Sequence, residues 1–238
     1  MNMILDSHTH TLASAHAYST VLELAKEAAA QNLALLAVTD HAPALPDSCD
    51  KWHFINFHVM DRELYGVKML YGVELSIMDY EGTVDLEEML LDKQDICIAS
   101  FHELVTTPGS RKENTRAMIK ALENPYVDIL GHPDDGRIPV DFKELVLQTK
   151  SMGKLLELNN SSLKAARYRK NSRENMIAMM KYCEKYGVTV SVGTDAHFAA
   201  AVGKMDEVAR LIEEISFPEE LVANISVEKY LSHLHKFC

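Results

Sequence analysis

The sequence begins with an apolar triplet, Met3-Ile4-Leu5, and then switches to Asp6-Ser7-His8-Thr9-His10. Histidines at i and i+2 of an extended segment project from one face, so His8 and His10 can offer two imidazoles to a common ligand. With His16 nearby, the first sixteen residues read as an incomplete metal site. Further donors recur just past later apolar runs: His41 after 33–38, Glu74 after 67–73, His102 after 95–100, His132 after 126–130, and Asp195 and His197 after 188–192. Imidazole and carboxylate donors without cysteine suit zinc, iron or manganese better than a closed structural thiolate site. Nine ligands are too many for one ion and enough for two or three, and a glutamate can bridge a pair through its separate oxygens. Ions held close together supply a hydroxide nucleophile at neutral pH and stabilise charge on a phosphoryl group.

These donors need a scaffold that brings distant strand ends together. Seven short apolar segments (3–5, 33–38, 67–73, 95–100, 126–130, 154–158 and 188–192) alternate with segments of helical character at 20–32, 55–65, 85–93, 113–123, 141–151 and 172–186. Two further helices are expected at 204–215 and 226–235. Thr20 and Ser172 read as helix caps and Gly187 as a helix exit. Nearly continuous apolar strands need cover on both faces, which predicts a parallel α/β architecture. Metal-type residues follow six of the seven strands, which favours a closed barrel, since an open sheet draws its site from a few strands near its switch point. There is no glycine-rich dinucleotide loop and no GxxxxGK phosphate loop, so no nucleotide cofactor is expected.

For any single histidine, a satisfied structural role is the commoner account. Seven of the 11 histidines lying beside predicted strand ends make a cluster the better one. His233 and His235 fall in the tail, away from any strand end, and read as surface residues without a role. Asp6 and Asp40 precede ligands and either orient them or cap turns. Asn159, Asn160 and Ser161 follow the one strand that contributes no ligand, and either bind substrate or satisfy a tight loop. Arg111, Lys112, Arg137 and Arg167 are cations of the metal side that could meet a substrate anion. Trp52 reads as core or as pocket wall.

The chain has 238 residues, 24 Lys and Arg against 35 Asp and Glu, and a formal net charge of -11, without a long basic run. That balance disfavours long nucleic acid and anionic membranes as partners, but permits a small phosphorylated substrate once cations occupy the site. Cys49, Cys97, Cys183 and Cys238 show no CxxC spacing and read as reduced thiols, two of them buried. With no secretory signal and no run of transmembrane length, a cytoplasmic location is expected.

The ordered set DSHTHT at 6–11, TDHAP at 39–43, GVE at 72–74, SFHE at 100–103, GHP at 131–133, ELNNSS at 157–162 and GTDAH at 193–197 resembles the PHP (polymerase and histidinol phosphatase) superfamily. The likeness is strongest to its small stand-alone bacterial phosphatases with a trinuclear metal centre, and covers essentially the full length. It implies a single domain over 1–238, a distorted, TIM-like (β/α)7 barrel with seven parallel strands, and a site at the C-terminal strand ends. It further implies that His8, His10, Asp195 and a bridging Glu74 hold a first ion, and that Glu74, His102 and His132 hold a second. His16, His41 and His197 would hold the third. Three divalent ions are implied, with zinc preferred and manganese or iron next. Glu74 and Asp195 would serve catalysis as well as ligation. The implied reaction is phosphomonoester hydrolysis by a metal-activated hydroxide, with no covalent enzyme intermediate and no role for Ser7 or Ser161 as nucleophile. The alternatives are a phosphodiesterase or nuclease acting on nucleotides or short nucleic acid, and a histidinol phosphatase. An amidohydrolase would ordinarily carry a bridging lysine where this chain has Glu74, and a binding module would leave nine donors idle.

Overall fold

The structure is a computed structural model describing residues 1–164 and 169–237. In chain order its elements are β1 (Leu5–Asp6), α1 (Val21–Ala30), β2 (Leu35–His41), α2 (Lys51–Ile55), β3 (Glu63–Leu64), β4 (Val67–Ser76), α3 (Glu88–Leu91), β5 (Cys97–Ser100) and α4 (Arg111–Glu123). They continue with β6 (Ile129–Gly131), α5 (Phe142–Met152), β7 (Leu155–Asn159), α6 (Asn160–Lys164), α7 (Ser172–Tyr186), β8 (Val190–Gly193), α8 (Asp206–Glu214) and α9 (Val227–Leu231). Seven strands pair in parallel in the order β1-β2-β4-β5-β6-β7-β8, while the two-residue β3 pairs antiparallel with β4. The ends of this path meet just beyond β1 and β8: Asp195 N donates to His8 O at 2.8 Å and His10 N to Ala196 O at 2.9 Å. The expected seven-stranded, nearly closed parallel barrel is therefore the observed fold. Its closure is made by the segments that carry four of the predicted ligands.

Side-chain alternation explains how a strand can be apolar at one end and chemical at the other. On β2, Leu35 and Ala37 face the barrel interior and Leu36 and Val38 face the helices. The same two-residue step runs from Leu70 to Glu74 on β4 and from Leu155 to Glu157 on β7. At the lower end the interior is filled by Leu5, Leu35, Leu70, Ile98, Ile129 and Leu155, closed from below by Tyr230 and Leu234 of the C-terminal segment. Burying a side chain such as Leu234 contributes about 1.5–3 kcal/mol, so the tail is part of the core. Its neighbour His235 corrects the surface assignment: its side chain is 10% exposed, and its ring nitrogen and backbone N–H both bond to Asp128.

Local chemistry sets most helix ends. Thr20 and Glu23 form the capping box of α1, Ser110 and Glu113 that of α4, and Gly187 takes the left-handed exit of α7. Ser172 is not the cap of α7 but its first residue. Asn171 precedes it in a left-handed conformation and makes no side-chain cap bond. The helix expected at 55–65 is replaced by α2, a 3-10 turn over Asn56–Val59 and β3, because the aromatic anchors Phe54 and Phe57 dock earlier in the chain. Trp52, expected in the core or the pocket wall, is 67% exposed on α2. Cys97 and Cys183 are buried and Cys49 is half-buried; Cys238 lies outside the described residues. Among the described residues no helix is long and apolar enough to cross a membrane.

Candidate metal centre

All nine predicted donors come to the C-terminal end of the barrel. Glu74, the last acidic residue of the β4 interior face, is 1% exposed and sits between them. Its Oε2 lies 3.4 Å from His8 Nε2, 3.6 Å from His10 Nε2 and 2.6 Å from His41 Nδ1. Its Oε1 lies 2.9 Å from His132 Nε2 and 3.3 Å from His102 Nε2. Asp195 Oδ1 approaches His10 Nε2 at 3.2 Å and His8 Nε2 at 3.9 Å. His16 stacks on His197 with ring centroids 4.5 Å apart and on His41 at 5.1 Å.

Three groups of donor atoms are compact enough to surround an ion: His8, His10 and Glu74; His41, Glu74 and His102; and His10, His41 and His197. In the third group His10 joins His41 and His197, on both of which His16 stacks. Asp195 and His132 add donors that touch His10 and Glu74 respectively. The donor chemistry fits a cation. His41 Nδ1, Glu74 Oε2 and His197 Nε2 are buried without a hydrogen-bond partner, although His41 and Glu74 almost touch. Lone pairs facing one another without an aligned proton are costly unless a cation lies between them.

The electrostatics follow from this crowding. Burial opposes ionisation of Glu74, but His8, His41 and His102 hold it well below the usual carboxylate range. Asp195 is likewise held low against burial by His8, His10, His197 and Arg169. Burial, together with the repulsion of His197 and His41, keeps His10 well below the usual imidazole value and therefore neutral, as a ligand must be. Asp40 is held down to about 2 against burial, chiefly by the hydrogen bond from His53, with a further one from Ser14.

The neighbouring polar residues fix the orientation of the donors. Asp40 accepts from Thr11 N at 2.7 Å and from Ser14 Oγ at 2.6 Å, and Ser14 Oγ lies 3.2 Å from His10 Nδ1. Asp6 accepts from Thr194 N at 3.0 Å and Gly203 N at 3.0 Å, tying β1 to the segment that carries Asp195. Ser76 Oγ at 3.0 Å from His102 Nδ1 leaves Nε2 to face Glu74. His132 (φ 28°) and Asp195 (φ 52°) both adopt positive-φ backbone conformations, uncommon for residues other than glycine. Such strain persists where surrounding bonds over-determine the geometry.

Other expectations divide. Asn160 accepts from Glu207 N and Val208 N, both at 3.0 Å, and so stabilises the start of α8. Asn159 bonds Glu157 and Asp195, on the site side of β7. Arg137 lines the site cavity, where Asp135 and Glu103 hold it. Arg111 instead lines a separate cavity beside α5 and α7, Lys112 lines neither, and Arg167 lies outside the described residues. Sequence reasoning missed two residues. Arg169 donates to Asn159 Oδ1 at 3.1 Å, Ser162 Oγ at 2.6 Å and Asp195 Oδ2 at 3.1 Å, and nothing in its loop sequence signals this. Glu157 is 0% exposed, and its signal was present as a charge inside the apolar run KLLEL. The site opens through a cavity of about 310 Å³ lined by His16, His41, Leu45, Phe101, Arg137 and Arg169 among others. A larger one of about 650 Å³ between α6, α7 and α8 lies on the far side of Arg169, away from the donor cluster.

A family model described as "PHP domain" matches residues 6–216. A protein from Acetivibrio thermocellus named "Probable phosphatase" is 43% identical over 236 residues, covering 99% of this chain and 97% of the relative. Another from Clostridium novyi (strain NT), also named "Probable phosphatase", is 42% identical over 234 residues, covering 98% and 95%. Among solved structures, histidinol phosphate phosphatase from Lactococcus lactis subsp. lactis Il1403, complexed with zinc, L-histidinol and phosphate, superposes with a TM-score of 0.62. It is 17% identical and covers 91% of this chain and 95% of its own.

Proposed function

This chain belongs to the PHP-domain family, and from that premise we propose that it is a metal-dependent phosphatase cleaving small phosphomonoesters at a centre of three divalent ions. The observation that carries this reading is the set of buried, partnerless lone pairs on His41 Nδ1, Glu74 Oε2 and His197 Nε2 inside a ring of further imidazoles. His8, His10, Asp195 and Glu74 would hold one ion, Glu74, His102 and His132 a second, and His16, His41 and His197 a third. Imidazole-rich ligation makes zinc the first choice, with manganese and iron next. Divalent ions held there supply Lewis acidity, making hydroxide available at neutral pH and offsetting charge on the phosphoryl oxygens.

The chain's own residues account for the rest. Glu74 presents one oxygen to each side of the cluster, so it spaces the donors as well as charging them. Arg169 orients Asp195 and adds positive charge to the wall of the same cavity, on the side where an anionic ester would enter. Neither Ser7 nor Cys49, among the described residues, is placed as a covalent nucleophile. Ser7 Oγ donates to Val192 O at 2.9 Å within the barrel. Burial pushes the Cys49 thiol up to about 12. A cavity of about 310 Å³ suits a small ester, and the net charge of -11 disfavours a long polyanion. We assign the whole of 1–238 to this one hydrolase domain and, from the free thiols of Cys49, Cys97 and Cys183, place it in the cytoplasm. The Lactococcus protein was crystallised with zinc and phosphate, ligands of the class proposed here.

The test is a panel of sugar phosphates, nucleoside monophosphates, histidinol phosphate and phosphodiesters. It is run on protein stripped of metal and then reconstituted with zinc, manganese or ferrous iron. Monoester turnover that vanishes on stripping and returns with an ion is expected. A preference for diesters would move the assignment to a phosphodiesterase, and turnover indifferent to stripping would end it.

A further inference from the structure

Glu157 is not among the nine donors, yet its carboxylate binds two of the segments that carry them directly and a third through Asn159. Oε1 lies 2.7 Å from His8 Nδ1. Oε2 accepts from His132 N at 2.7 Å and from Asn159 Nδ2 at 3.1 Å, and Asn159 Nδ2 also reaches Asp195 Oδ2 at 3.2 Å. Room for it is built into the adjacent strand, β8. A Cβ on Gly193 would fall 2.3 Å from Glu157 Oε1 and 2.6 Å from His8 Cβ, so only glycine there lets β8 pass this pair.

Each contact bears on a ligand. A carboxylate accepts only, so the bond to His8 places a ring proton on Nδ1, and in the neutral ring that metal ligation requires Nε2 is then the free nitrogen, facing His10 and Glu74. The bond to His132 N holds a residue whose backbone φ is 28°, a conformation that needs an outside constraint. The link through Asn159 reaches Asp195, whose φ is 52°.

We propose that Glu157 is the positioning residue that sets the His8 tautomer and locks the His8, His132 and Asp195 segments into one unit, so that adjacent metal positions form together. This inference rests on the phosphatase reading above. Glu157 never contacts substrate; it acts through the imidazole and backbone that it holds.

The test compares Glu157→Gln and Glu157→Ala with the wild type as full-length protein. Zinc affinity is read by chelator competition, kcat and KM on a phosphomonoester, the apo fold by circular dichroism, and the His8 ring by nitrogen-15 NMR of the zinc-loaded protein. Gln keeps one acceptor for His8 Nδ1 but sets its amide N–H against the His132 and Asn159 donors, whereas Ala keeps none. Zinc affinity should fall roughly 10–100-fold in Glu157→Ala and less in Glu157→Gln, with kcat reduced and KM little changed. The wild type should show a hydrogen-bonded Nδ1 proton on His8 that Glu157→Ala lacks. Folded variants with wild-type zinc affinity and kcat would overturn the inference while leaving the phosphatase reading intact. If neither variant folds, the wild-type ring decides: a proton on Nε2 overturns the proposal and one on Nδ1 supports it. A wild type that binds none of zinc, manganese and ferrous iron, or cleaves no monoester with any of them, removes the phosphatase reading and this inference with it.

Discussion

Glu74 concentrates the site's chemistry in two oxygens, one 2.9 Å from His132 Nε2 and the other 2.6 Å from His41 Nδ1. Glu74→Gln keeps the volume and one carbonyl oxygen but turns the other position into a donor facing imidazoles that must offer lone pairs. The barrel should still form, because the packing around Glu74 is unchanged, whereas the two ions proposed to share Glu74 would lose their common ligand. Turnover should fall by roughly 100-fold or more, beyond the 10–100-fold typical of residues that only orient a ligand. Steady-state kinetics with metal content and circular dichroism measured in parallel check this, and unchanged turnover rejects the bridging role. At this scale the sequence was most legible. Each donor except His16 closely follows an apolar run, so its position near a strand end could be read directly. Glu157 and Arg169 could not be assigned in the same way, because a side chain that works through another residue leaves no spacing pattern. Only the oddity of a charge within KLLEL pointed toward the first.

The strands matter less for their length than for how closely they approach one another. Gly72 lies two residues before Glu74, and a Cβ there would fall 2.0 Å from the backbone oxygen of Ile96, which accepts from Val73 N at 3.1 Å. A backbone oxygen cannot rotate away as a side chain can, so Gly72→Ala must push β4 from β5 and carry Glu74 with it. Overpacking of this kind costs about 1–3 kcal/mol. Urea unfolding should show that loss, and the phosphatase rate should fall as well, because the displaced strand bears Glu74, the carboxylate proposed to bridge two ions. A variant of wild-type stability would mean that the strands tolerate a wider gap than their register suggests. The parallel alternation was readable from apolar runs and helix caps. The segment 42–66 was not, because its aromatic residues dock through tertiary contacts that periodicity does not encode. The tail was misread for a related reason: His235 gains its partner Asp128 from more than a hundred residues away.

Across the whole molecule, one end of the barrel is a dry apolar plug and the other collects buried carboxylates and imidazoles within a chain of net charge -11. That polarity makes metal binding and stability a single equilibrium. The donors are spread from His8 to His197, so an ion bound by them connects the first strand to the last and binds the native state far better than the unfolded chain. At free zinc one hundred times its dissociation constant, one site contributes about 2.7 kcal/mol. For a chain of this size that corresponds to roughly 5–10 °C in the unfolding midpoint. Protein stripped by chelation should therefore unfold at a lower temperature than reconstituted protein, and the midpoint should climb as zinc is added until about three equivalents are bound. Calorimetry with parallel metal analysis reads both quantities. A midpoint that saturates after one equivalent would reduce the centre to a mononuclear site, and one that never moves would mean that these nine side chains meet for a reason other than metal.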